Sequence, residues 1–352
     1  MKKLYWIINQ INNDDSSISQ IEIASKLVQY RSISLIVLGS KEDSILNVSG
    51  KIDIIYLDID KKYYEDDILT SYFKANKNKL KDRISELTTK NDIIISTSYL
   101  SSYIVPKGRR FLYYYLGTKD SFLKFTEKIR RRSYRTPDNF IFSSVTLKEF
   151  LDKKKKYRGS YQLYPCQSLY PSLDLLSKNN KMMYVYQNKD NYLLPLIILN
   201  KLKELGINST LDYYANDEII SKVKGYVVEN GLTKQVNFIS EFEMQSAFKQ
   251  VDFVIYINNK NAIPLFIIEA LSQSKIVICN KNEATDEGTS ITIDEKNISS
   301  TILELKDLIN KSKRLEKYKQ NSFNYSFRYS KDMIIAKWLD VLDNEDNLLH
   351  KE

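Results

Sequence analysis

VDFVIYINNKNAIPLFIIEALSQSKIVIC, residues 251–279, is the stretch whose reading decides the fold. It divides into an apolar strand (253–257), a polar loop (258–262), a short helix (264–273) and a second apolar strand (275–279). Both strands are unbroken β-branched and aromatic runs, the pattern of parallel strands covered on both faces. The helix opens with Pro264, whose missing N–H costs nothing in a first turn. Its one acid, Glu269, falls among Ile267, Ile268 and Leu271, which belong in a core. A carboxylate there is expensive unless something binds it.

Outward from this stretch, strand and helix alternate in both directions. The first half predicts strands at 4–8, 34–38, 52–57, 92–96, 111–116 and 139–142. Helices fall between them, among them a basic one over 120–132 and a last one over 146–155. Residues 157–181, with Pro165 and Pro171, read as a linker. The second half repeats the alternation through 291–293, then helices over 298–312 and 332–343. Such alternation predicts α/β architecture with a parallel, doubly wound sheet in each half. The expected domains are 1–170, 171–330, and a C-terminal helix and tail over 331–352.

The 352 residues suit two domains that each bury a core, and 43% hydrophobic residues mark a globular chain. Glycine is scarce, nine in all, although loops that approach a phosphate closely usually use it. Cys166 and Cys279 show no metal or redox spacing, and no apolar run reaches membrane-spanning length, so a cytoplasmic setting is expected. The single histidine, His350, excludes histidine-dependent nucleophile triads and histidine metal sites. Charge is uneven, with net +11 over residues 1–170 and −2 over the remainder. The excess concentrates in Arg109, Arg110, Arg130, Arg131, Arg132, Arg135 and Lys153, Lys154, Lys155, Lys156. That footprint suits an anionic membrane surface or another polyanion. Nucleic acid is the weaker partner, because aromatics and glycines do not interleave with the basic residues.

Asn261-Ala262-Ile263-Pro264-Leu265-Phe266-Ile267-Ile268-Glu269-Ala270-Leu271-Ser272-Gln273-Ser274 resembles the donor-sugar loop of the family 4 glycosyltransferases. Their wording is Glu-Gly-Phe-Pro, four residues, Glu-Ala, an apolar residue, Ala, any residue and Gly, followed by a buried strand. The proline, the Glu-Ala pair and the spacing fit. Asn261 stands for the first glutamate, Ala262 for the loop glycine and Ser274 for the glycine after the helix. The chain's end, Phe327-Arg328-Tyr329-Ser330 followed by Ile335-Ala336-Lys337-Trp338-Leu339, resembles the family's last helix. The resemblance implies a GT-B fold, two Rossmann-like domains facing an interdomain cleft, with that helix crossing back to the first domain.

It also implies roles. Glu269 would grip the ribose hydroxyls of a nucleotide-sugar as a two-oxygen acceptor, and Asn261 would stand at the catalytic position against the transferred sugar. The loop Ala262–Leu265 opens a helix N-terminus, where free N–H groups and the dipole suit a diphosphate. After the strand at 182–186, Tyr186-Gln187-Asn188-Lys189 replaces the family's Gly-Arg and keeps a lysine. Gln187 and Lys189 are therefore the expected donor-phosphate residues, without an arginine fork. Ser16 and Ser17, in the first strand-to-helix loop, read either as an acceptor and phosphate loop or as a helix cap. Asp58-Ile59-Asp60 spells an acid pair used for metals in another glycosyltransferase fold, but no metal or other cofactor is expected.

The function implied is a retaining, metal-independent hexosyltransferase moving a sugar from a nucleotide-sugar, UDP-linked by expectation, to a glycan, lipid-linked or protein acceptor. Polysaccharide biosynthesis at the inner membrane face, as a peripheral protein, would suit it. Amides at Asn261 and Gln187 open a second reading: a non-catalytic partner that binds glycan or stabilises an active glycosyltransferase.

Overall fold

Every second residue of the first strand faces the same way, and both sets are apolar. In β1 (Leu4–Ile8) the side chains of Leu4, Trp6 and Ile8 enter one core, and those of Tyr5 and Ile7 another. A strand apolar on both faces must be covered on both faces. The computed structural model describes all residues except 1, 10, 12–14, 43, 45–47, 49, 60–65, 98–103, 117–136, 153–159, 176–178, 188–190, 258–262, 295–296 and 350–352. The expected basic helix over 120–132 thus lies outside the described residues.

The chain divides into two units. The first comprises Met1–Ser168, Lys260–Leu265 and Tyr329–Glu352; the second comprises Leu169–Asn259 and Phe266–Arg328.

In the first unit, β1 is joined by β2 (Ile33–Val37), β3 (Asp53–Tyr56), β4 (Ile93–Ser96), β5 (Arg110–Tyr115), β6 (Asn139–Phe142) and β7 (Ser160–Gln162). All pair in parallel, in the order β3-β2-β1-β4-β5-β6-β7. Strand β7 falls inside the expected linker. Helix α1 (Asp15–Leu27) covers one face of the sheet, while α2 (Asp66–Leu87) and α3 (Val145–Asp152) cover the other.

The chain's last helix, α10 (Lys331–Leu349), packs beside α1 on this first sheet, the placement that the resemblance implies. Trp338 is fully buried, its ring 5.0 Å from Trp6 and 5.3 Å from Tyr114. At the far end of α10 the buried Glu345 accepts from Asn139 Nδ2 at 2.6 Å and Tyr161 OH at 2.7 Å, and pairs with Arg110. Burial, then Glu345, pushes the Tyr161 phenol well above its ordinary value. Arg31 pairs with Asp343 and Asp346, and Lys331 with Glu22.

In the second unit, β8 (Lys181–Val185), β9 (Thr210–Tyr214), β10 (Val236–Ile239), β11 (Phe253–Tyr256), β12 (Ile276–Cys279) and β13 (Ser290–Thr292) form a parallel sheet ordered β10-β9-β8-β11-β12-β13. One face is covered by α4 (Leu194–Glu204), α5 (Asp217–Glu229), α8 (Ile298–Asn310) and α9 (Ser312–Ser326). Asn216 caps α5, its side chain accepting from Ile219 N at 3.0 Å. On the other face lie α6 (Met244–Lys249) and α7 (Leu265–Ser272), with Phe266 against Tyr256 and Phe248 at ring distances of 5.9 and 5.5 Å. Among the described residues no helix is long and apolar enough to cross a membrane.

Candidate active site

Open parallel sheets bind ligands beyond the carboxyl ends of their strands, where the strand order reverses. In the second unit that reversal lies between β8 and β11. The chain leaves β8 through Tyr186 and Gln187, and re-enters after β11 through Ile263 and Pro264 into α7. Tyr186 N donates to Tyr214 O at 2.8 Å, and both Tyr186 and Gln187 are half-buried. Ile263, Pro264 and Leu265 are buried. Lys189, Asn261 and Ala262 lie outside the described residues.

Glu269, a residue of the second unit, is wholly buried, and its Oε2 accepts from Leu169 N at 3.1 Å. That contact belongs to a longer seam. Gln273 Nε2 donates to Tyr170 O at 2.7 Å, Ser172 N donates to Ser272 O at 2.8 Å, and Asp174 N donates to Ser274 Oγ at 2.9 Å. The segment 169–174 is thereby laced along α7, and its Ser172 N–H satisfies the Ser272 carbonyl, a helix-end acceptor that would otherwise be stranded.

The end of α7 explains the serine in place of glycine. Ser274 has φ 55°, the left-handed region that favours glycine. Lys275 N donates to Ala270 O at 2.9 Å and Ser274 N to Leu271 O at 3.0 Å, the paired bonds of a Schellman end. The helix therefore stops as a glycine-ended helix does, and the Ser274 hydroxyl ties it to the segment running past it.

An aromatic shelf borders the carboxyl ends of β9, β10 and β11, and sequence reasoning missed it. Phe242, 36% exposed, packs edge-on against Tyr214 at 5.1 Å and lies 6.1 Å from Phe266. Burial, then Asp212 and Glu243, raises the Tyr214 phenol's pKa. At the end of β12, burial pushes the Cys279 thiol up to about 12, so it is an inert core thiol.

In the first unit the order reverses between β1 and β4. Ser17 is buried in the first turns of α1, and the side chain of Ser16 lies outside the described residues. Beside them a second polar set appears that the sequence did not announce. Trp6 Nε1 donates to Gln20 Oε1 at 2.9 Å, and Thr97, directly after β4, contacts the same oxygen through its hydroxyl at 3.2 Å.

Of the basic residues, Arg109 and Arg110 are engaged inside the first unit. Arg109 donates to Thr88 O at 2.7 Å and Thr88 Oγ1 at 3.1 Å, capping the end of α2, while Arg110 pairs with buried Glu345. Both side chains are half-buried. Arg130, Arg131, Arg132, Arg135 and Lys153 to Lys156 lie outside the described residues, as does His350. Asp58 is exposed with φ 53°, and Asp60 lies outside the described residues. Among the described residues no group of three His, Cys, Asp or Glu side chains is placed to hold a metal ion.

No family model and no curated protein matches the sequence. Solved structures do match, along nearly the whole chain. A Staphylococcus aureus TarM variant crystallised with Fondaparinux, alpha-GlcNAc-glycerol and UDP is 9% identical, with TM-score 0.74, covering 97% of this chain and 99% of that one. Anabaena HepE in complex with UDP-glucose is 11% identical, with TM-score 0.71 and coverage of 98% and 100%. The pneumococcal O-GlcNAc transferase GtfA in complex with UDP and GlcNAc is 10% identical, with TM-score 0.72 and coverage of 97% and 99%. These are GT-B glycosyltransferases, and the chain has their fold: two parallel α/β sheets, with the last helix packed on the first.

Proposed function

We propose that the protein is a glycosyltransferase that takes a sugar from a UDP-linked donor and passes it to a glycan acceptor. The observation that carries this is the reversal of strand order between β8 and β11, with the Pro264 turn, α7 and Glu269 following directly. TarM, HepE and GtfA, the fold's solved relatives, are each described with UDP or a UDP-sugar. In this reading the α7 N-terminus and Lys189 hold the leaving diphosphate, where charge develops in the transition state. Glu269 takes the ribose hydroxyls and Asn261 contacts the transferred sugar. The reaction is retaining and needs no metal, and lipid-linked or protein-borne glycans are the finer acceptor classes.

The test is a thermal shift with a panel of UDP-sugars, followed by UDP release in the presence of EDTA. Binding raises the melting temperature, because ligand well above its dissociation constant stabilises the folded state. Turnover undiminished by EDTA supports the metal-independent mechanism. Loss of turnover with EDTA, restored by a divalent ion, overturns it.

A second reading rests on a specific observation: Glu269 is buried and holds the backbone of Leu169, while amides stand at Asn261 and Gln187. In that reading the protein is a non-catalytic partner that binds glycan or steadies an active transferase. UDP-sugar binding without turnover favours it.

The charge excess of residues 1–170 supports a cytoplasmic protein resting on an anionic membrane face. With Arg109 and Arg110 bonded to Thr88 and Glu345, the larger share of that role falls to Arg130, Arg131, Arg132, Arg135 and Lys153 to Lys156. Sedimentation with vesicles of phosphatidylglycerol, lost on neutralising Arg130 to Arg132, tests it.

A further inference from the structure

We infer that Thr97 sorts ligands at the carboxyl edge of the first sheet, accepting a hydrogen bond from a hydroxyl of a neutral sugar and refusing phosphate and carboxylate. The inference deepens the glycosyltransferase reading and rests on it for the claim that this edge meets an acceptor.

The argument is one of committed protons. An indole N–H can only donate, so the Gln20 atom it meets at 2.9 Å is the amide oxygen, and the orientation of that side chain is fixed. An amide oxygen can only accept, so in the 3.2 Å contact between the two side chains the Thr97 hydroxyl is the donor and Gln20 the acceptor. What Thr97 Oγ1 has left is lone pairs.

Three features hold this state in place. Gln20 is 2% exposed and Trp6 is wholly buried, so the accepting amide is shielded from water. Tyr113 OH donates to Thr97 O at 2.6 Å, which fixes the backbone carrying the hydroxyl. Ser96 Oγ donates to Ile7 O at 3.2 Å, tying the ends of β4 and β1 together where the strand order reverses. Thr97 itself remains half-buried, with part of its surface open.

A group with lone pairs and no available proton repels an oxyanion and welcomes a donor. Among the acceptor classes of the proposed function, the hydroxyl of an uncharged glycan supplies that donor. A phosphate-bearing headgroup placed there would set oxygen against oxygen.

The experiment uses the full chain and methyl α-glucoside and methyl N-acetylglucosaminide as probes, each followed by saturation-transfer difference NMR with and without UDP. Wild type and Thr97→Ser are expected to bind a glycoside, and Thr97→Val to bind it about tenfold more weakly, as for one lost hydrogen bond. Retention of the wild-type melting temperature certifies the fold of each variant, and Thr97→Ala carries the same test if the valine variant does not fold. Equal glycoside binding by wild type and Thr97→Val, no glycoside signal from wild type, or displacement of the glycoside by inorganic phosphate overturns the inference. Absence of any UDP-induced shift, with the Thr97→Val loss intact, sinks the donor reading and leaves this one standing.

Discussion

Lys319 Nζ lies 2.6 Å from Asp252 Oδ1, and neither side chain has any solvent exposure. The other oxygen of Asp252 accepts from Asn179 N at 2.7 Å and Asn180 N at 2.9 Å. One carboxylate thus joins the approach to β8, the start of β11, and α9. Removing one member of a buried pair strands the other, which costs about 3–5 kcal/mol. Lys319→Met is therefore expected to lower stability by about that much. Urea unfolding followed by circular dichroism measures it. A loss under about 1 kcal/mol would mean that water reaches Asp252.

Ser274 yields a prediction that runs against side-chain size. A non-glycine residue at φ 55° costs about 1 kcal/mol, and the hydroxyl offsets this by accepting from Asp174 N at 2.9 Å. Ser274→Gly removes the strain together with this bond and the one the hydroxyl donates to Ser172 O at 3.1 Å, and is expected to change stability by less than about 1 kcal/mol. Ser274→Ala keeps the strain and loses both bonds, so alanine is expected to be the least stable of the three, by about 1–2 kcal/mol. Melting temperatures of the three proteins give the order, and alanine matching serine would show that the hydroxyl contributes nothing.

How much of this was legible beforehand differs by element. The strands announced themselves because both their faces are apolar, and Pro264 marked a helix start through its own backbone chemistry. Strand β7 was hidden: three residues, Ser160–Gln162, in a stretch whose prolines read as linker. Helix α9 was hidden too, because its buried positions include Lys319, Ser322 and Ser326, and a helix that buries polar side chains shows no apolar period. Arg109 and Arg110 looked like surface charge, since their partners, Thr88 and Glu345, are 21 and 235 residues away. At the candidate site, the Pro264 turn and Glu269 could be found from spacing. The Gln20–Thr97 pair could not, being a consequence of which strands become neighbours.

Lys275 gives a pH dependence. Burial first, then Lys319, pushes its amine down to about 8, with Asp174 and Asp252 opposing. The unfolded amine titrates near 10.5, so between these values the unfolded chain binds more protons and stability rises with pH. Below about pH 8 the penalty for a buried ammonium is present in full; above about 10.5 it is gone. Lys275→Met is expected to stabilise the protein at pH 7 by on the order of 2–3 kcal/mol. Paired urea titrations of variant and wild type at pH 7, 9 and 10.5 should show the advantage shrinking. A constant advantage would assign the effect to packing alone.

Glu269 separates the two proposed readings most sharply. If its carboxylate serves the ribose of a donor, Glu269→Gln keeps the shape and an acceptor for Leu169 N but loses the charge that strengthens hydrogen bonds to hydroxyls. UDP affinity measured by calorimetry is then expected to fall about 10- to 100-fold, with the melting temperature nearly unchanged. If the side chain serves only to hold the segment 169–174 against α7, the same variant leaves UDP affinity alone. In that case Glu269→Ala, which removes the acceptor altogether, lowers stability by about 1–3 kcal/mol because Leu169 N loses its partner. The glutamine variant reads ligand binding and the alanine variant reads the seam, so the pair together decides which work this buried carboxylate performs.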